Sequence, residues 1–124
     1  MRDVYHDDLD DIGKRVVEMT NLVAVAMERA SAGLLLPNFD VAEQVVRQDA
    51  RVDALRVELE DHCFQLIALQ QPVATDLRVL ISTMHLVADL ERMGDLAMHV
   101  AKIGTSNRAS ASLFAVQQGL LAAD

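Results

Sequence analysis

Glu91, Asp95 and His99 follow one another at intervals of four, so on a helix they line a single face. Asp49 and Asp53 repeat the interval further up the chain. Carboxylates grouped with an imidazole are a ligand set for iron, manganese or zinc. The two acidic pairs can meet if their helices pack side by side. The position of Glu91 and Asp95 is unusual, because the apolar rhythm Leu77, Ile81, Met84, Ala88 runs straight into them. A buried carboxylate without a partner costs several kcal/mol, so a cation, an arginine or water must compensate.

A plainer reading stands beside this one. Acids spaced by four are common on helix surfaces and often pair with arginine. Arg92 adjoins Glu91, and Arg47, Arg51 and Arg56 surround the second pair. For His99 alone a structural role is favoured. His6 with Asp7, Asp10 and Asp11 reads as a solvated acidic helix start, which suits the helix dipole, more readily than as a cation site. Asp61, His62 and Cys63 are consecutive and point in different directions, so they cannot share an ion. Cys63 reads as a small core residue. Met19, Met27, Met84, Met93 and Met98 read as core or adaptable interface. The sequence has no glycine-rich phosphate loop, nucleophile elbow or CxxC pair, and no assembly of nucleophile, base and oxyanion donors. The reading is therefore of a protein that is not an enzyme.

To position these acids the chain needs long helices, and its composition supplies them. It is 52% hydrophobic and only 3% aromatic, with Ala, Val, Leu and Met dominant. At 124 residues it can bury one core. The net charge of −8 opposes binding to nucleic acid. Residues 1–61 hold 14 of the 19 acids and 7 of the 11 bases, so the excess is local. One cysteine permits no internal disulfide. With no apolar leader and no membrane-length run, the expectation is a soluble, cytoplasmic protein.

Three helical stretches are expected. The first runs from about Asp3 to Ala32, with Ile12, Val16, Met19, Val23, Ala26 and Ala30 on its apolar stripe; Gly33 and Pro37 break it. The second starts at a capping box on Asp40 and Glu43 and carries Val45, Val52, Leu55, Leu59, Cys63 and Leu66 to about Leu69. Pro72 is placed in the first turn of the third, which extends to Ile103 with Gly104 as its stop. Together they predict an all-α, antiparallel three-helix bundle over residues 1–103, each helix about 45 Å long. Residues 104–124 read as a divergent C-terminal tail, either a short fourth helix or a frayed end.

Two motifs carry a resemblance. QPVATDLR at residues 71–78 and DLERMGD at residues 89–95, continued as LAMHVAK, resemble the signature of the PhoU family. AEQVV at residues 42–46, the Asp49–Asp53 spacing and the Glu60 to Cys63 region also fit. PhoU-like proteins are built from two tandem three-helix repeats, and this chain is similar to the first.

The resemblance implies a regulator of phosphate homeostasis. Such proteins restrain phosphate uptake and starvation signalling through contacts with a phosphate ABC transporter, including its ATPase, and a sensor histidine kinase. Some members bind iron or zinc through acidic motifs, which map here to Glu91 and Asp95 and to Asp49 and Asp53. Asp89 also matches the family pattern and joins that set. Arg78 and Arg92 are the candidates for pairing with a partner or with these acids. Because one repeat stands where the family has two, a two-fold homodimer is expected to replace the missing half. The alternatives are a metal-binding helical protein without a phosphate role, and a truncated repeat without signalling function.

Overall fold

The computed structural model describes the backbone of residues 2–35 and 39–117 and the side chains of residues 5–34 and 41–105. The fold is all-α. Helix α1 spans Arg2–Leu35, α2 spans Phe39–Gln70 and α3 spans Ala74–Gln117. Each packs on the other two as an up-down-up three-helix bundle. Among the described residues no helix is long and apolar enough to cross a membrane.

The stripes expected on α1 and α2 form the core. Met19, Leu55, Leu59, Val23, Val45, Val52 and Cys63 are almost completely enclosed. Val16 is partly buried and packs against them. Toward the end where α1 finishes, the packing turns to small side chains: Ala26 and Ala30 of α1 meet Ala97 and Ala101 of α3, with Val45 of α2.

The seam of α3 is rotated from its expected position. The enclosed residues are Leu80, Val87, Leu90, Ala97 and Ala101. Ile81 is exposed, and Leu77, Met84 and Ala88 are only partly buried. Apolar residues cover most of the circumference of α3, so its sequence satisfies two overlapping four-three rhythms. The rhythm ending in Glu91 and Asp95 belongs to the flank against α2, where half-burial is possible.

Several helix ends also differ. Gly33 lies inside α1, which continues to Leu35. Pro37 and Asn38 lie outside the described residues. Helix α2 starts at Phe39, one residue before the expected cap at Asp40, whose side chain is likewise outside the described residues. It ends at Gln70, and Gln71 turns the chain with a positive φ of 42°. Pro72 precedes α3 rather than opening it: the first helical bond runs from Leu77 N–H to the Val73 carbonyl, 2.9 Å.

Gly104 does not stop α3. The helix runs through it to Gln117, so the start of the tail is a continuation of the third helix rather than a separate element. The glycine serves packing. A Cβ there would lie 3.2 Å from Leu34 Cδ2 and 3.5 Å from the Gly33 carbonyl oxygen, so its absence lets α1 and α3 come close.

Candidate functional site

The flank between α2 and α3 brings both acidic pairs together. Asp49 and Asp53 lie one turn apart on α2, and Glu91 and Asp95 one turn apart on α3. Carboxylate oxygens of Asp49, Asp53 and Asp95 lie within 4.8 Å of one another, with Asp49 the deepest. Glu91 completes a group of four. Gly94 sets the spacing, because a Cβ there would sit 3.4 Å from Val52 Cγ1 and 3.7 Å from Asp49 Oδ1. Without that methyl, the two backbones approach beside the acids.

The electrostatics are strained. Burial, reinforced by Asp53, Asp95 and Glu91, pushes the Asp49 carboxyl up to about 6. Burial also raises Glu91; Arg56 opposes this, while Asp95 and Asp53 add to it. Asp49 is within hydrogen-bonding reach of Asp95, and Glu91 of Asp53. Each pair can hold a proton between its two carboxylates. When all four are ionised neither member can donate, and the enclosed Oδ1 atoms of Asp49 and Asp53 have no partner.

One cation already enters the group. Arg56 Nε lies 2.9 Å from Glu91 Oε2, and Arg56 also reaches Glu60 at 3.7 Å. The Nε contact is a close ion pair without hydrogen-bond alignment, since that N–H has no aligned acceptor. Arg56 neutralises Glu91, and no cation among the described residues pairs with the three aspartates.

The sequence-derived candidates divide cleanly. Asp49, Asp53, Glu91 and Asp95 converge. Asp89 does not: it lies about 200° around the helix from Glu91 and is exposed, 3.8 Å from Arg92. His99 is exposed and outside the carboxylate group. Arg78 is exposed on the outer side of α3, near Thr75 and Ser82, and Arg92 is exposed with Asp89. Neither arginine reaches the carboxylates; Arg56 does. Its position three residues after Asp53, on the same side of α2, is the signal that could have singled it out. Gly94 is written in the sequence beside Asp95, but its closeness to Asp49 depends on the packing of two helices.

A second polar contact lies between α1 and α2. His62 Nε2 is 3.3 Å from Asp8 Oδ1, and Nδ1 is 3.9 Å from Asp11 Oδ2. Asp11 also pairs with Arg15 at 3.3 Å. The acids at the start of α1 are therefore partly engaged in clasping α2. Cys63 is fully buried, and burial raises its thiol further above its ordinary range, with Glu60 adding to the shift.

The α2–α3 group has the properties of a hard-cation site. It offers only carboxylate oxygens, two of them enclosed and unpartnered, and two helices hold them in place. Such a set suits manganese, magnesium or iron better than zinc, because no imidazole or thiolate contributes. Asp49, Asp53 and Asp95 would hold the ion, with Glu91 beside them. The bound ion would supply the missing positive charge.

Comparison with known proteins finds one family and several relatives similar in sequence. The sequence profile of the PhoU domain matches residues 16–104. The chain is 47% identical over 103 residues to the phosphate-specific transport system accessory protein PhoU homolog 1 of Mycobacterium tuberculosis, covering 83% of this chain and 47% of that protein. It is 46% identical over 103 residues to homolog 2 of the same organism, covering 83% and 48%. The corresponding protein of Aquifex aeolicus is 39% identical over 95 residues, covering 77% and 43%. The chain thus spans just under half the length of these relatives.

Proposed function

The chain belongs to the PhoU family, and from that premise we propose that it is a non-catalytic regulatory adaptor in phosphate homeostasis. Its role is negative regulation of phosphate uptake and phosphate-starvation signalling in the cytoplasm. Its partners are the ATPase of a phosphate ABC transporter and a sensor histidine kinase, met by docking along a helix face. The names of the relatives support a link to phosphate transport. A divalent cation at Asp49, Asp53 and Asp95 organises the α2–α3 flank, with iron or manganese preferred over zinc. Arg78 and Arg92, both exposed, remain available to acidic groups on a partner. Two copies of the chain form a homodimer.

The observation that carries the regulatory site is the convergence of four carboxylates from two helices with, among the described residues, one arginine paired to them. The test has two arms. Pull-down with the transporter ATPase and the kinase is expected to recover at least one of them, and recovery of neither sinks the adaptor reading. Calorimetric titration with manganese is expected to show one stoichiometric event, lost in the Asp49→Asn/Asp95→Asn variant. Metal binding without any signalling partner would favour a second reading, a helical metal-binding protein with no phosphate role.

A further inference from the structure

We infer that α3 pairs antiparallel with α3 of a second copy of this chain, through a heptad seam on the bundle's outer face. This rests on the two-copy reading above and assigns its surface. Exposed apolar side chains recur along the outside of α3. Val79, Leu86 and Met93 are seven apart, and Leu96 and Ile103 are seven apart; all five are 39 to 58% exposed. With partly buried Val100 they occupy the two core positions of a heptad, the remaining core places being Ser82 and Asp89. The core seam of α3 lies elsewhere, on Leu80, Val87, Leu90, Ala97 and Ala101. Of this second stripe only Val100 packs against the small-residue core, and the five exposed side chains are left outside it.

The stripe is self-complementary only when antiparallel. A two-fold axis level with residue 91 sets Val79 against Ile103, Ser82 against Val100, Leu86 against Leu96 and Asp89 against Met93. Each pair joins one heptad core position to the other, as antiparallel knobs-into-holes packing requires. The charged exception, Asp89, falls near the axis with its neighbour Arg92, 3.8 Å away in the same chain. Two copies bring two acids and two bases together there. A polar position in an apolar seam fixes register.

Charge favours the same face. Every ion pair between helices among the described residues involves α2. Helix α3 carries four acids and four bases and is neutral, whereas the chain as a whole is at −8. On α1 the exposed residues Val17, Thr20, Ala24, Met27, Ser31 and Leu34 follow a three-four rhythm without a charge. Met27 and Ser31 share a hollow with Met93, Leu96 and Val100, which places this uncharged strip beside the seam. A like-charged second copy can approach here with the least repulsion. From Val79 to Ile103 the face is about 36 Å long and two helices, about 20 Å, wide. That footprint of about 700 Å² approaches the roughly 800 Å² per partner of a stable interface.

Sedimentation of the full chain at micromolar concentration is expected to give twice the 13.6 kDa of one copy. The Leu86→Glu/Leu96→Glu variant alters only exposed positions; it should keep its helical signal while the dimer dissociation constant rises about a hundredfold or more. Mixed under oxidising conditions, Leu86→Cys and Leu96→Cys proteins should cross-link to each other. Leu86→Cys alone should not, because its two copies would lie about 15 Å apart. Buried Cys63 stays silent. A monomeric chain would overturn both the dimer and this interface. A dimer that survives the double glutamate variant, or links through two Leu86→Cys copies, would overturn the interface and leave the dimer to another surface.

Discussion

At the scale of residues, Asp49 holds the clearest consequence. An acid raised to about 6 in the fold, from 3.8 in the unfolded chain, takes up a proton on folding between those values. Its contribution therefore makes the metal-free protein less stable as pH rises through that window, and more stable as pH falls from about 7 toward about 5. The shift at Glu91 acts in the same direction. Asp49→Asn should flatten that part of the thermal-melting profile and raise metal-free stability at neutral pH by about 1 kcal/mol, allowing for solvent screening. Saturating manganese should reverse the trend in the wild type, since the ion needs the carboxylates ionised. A metal-free profile that declines steadily on acidification through this range would show that the four acids are not mutually strained. The two i,i+4 acid pairs were legible from spacing. Their convergence was not, because it depends on which flank of α3 meets α2. Asp89 is drawn into the motif by sequence neighbourhood and excluded from the group by helix rotation.

Between residues and the molecule stand the helices, and their ends test how they were specified. Gln71 adopts a left-handed conformation with a side chain that does not favour it. Gln71→Gly should raise stability by a few tenths to about 1 kcal/mol in chemical denaturation, the relief of strain being partly offset by a looser unfolded chain. Gly104 should respond to size. Alanine there meets the end of Leu34, an exposed side chain that can turn, and should be nearly neutral. Leucine would push against the Gly33 backbone, separate α1 from α3 and cost about 2 kcal/mol. A stabilised Gly104→Leu variant would contradict the close approach. These ends also show where sequence reading falters. On α1 and α2 the expected stripe residues are the buried ones, with Val16 partly so. On α3 the exposed stripe is almost as apolar as the buried one, so the rhythm alone does not choose between them. A glycine followed by small polar residues reads as a stop, yet the same residue suits a helix that must lie close to its neighbour.

For the whole molecule, the uneven charge is organised by helix. The ion pairs Arg51–Glu18 at 2.9 Å and Arg15–Glu58 at 3.8 Å join α1 to α2 across a surface rich in both signs. These contacts are half-exposed and should weaken in salt, whereas the apolar face of α1 and α3 should not. Raising salt should therefore leave self-association intact or strengthen it, because the net charge of each copy is screened. Equilibrium sedimentation across a salt series checks this; dissociation at high salt would mean that charged contacts hold the copies together. The overall architecture was legible because length, composition and two breaks allow little besides a bundle. The use of its outer faces was not, because exposure is a property of the packed molecule. Arg56 links this scale back to the acidic group. It is a tethered counter-ion, present at fixed local concentration whatever the medium contains, so a metal held by the three aspartates would have to settle beside a positive charge already fixed on Glu91. Removing the guanidinium should accordingly move two observables in opposite directions: Arg56→Met would make the metal-free protein melt lower, with Glu91 deprived of its 2.9 Å partner, and would make the same protein take up a divalent cation more tightly.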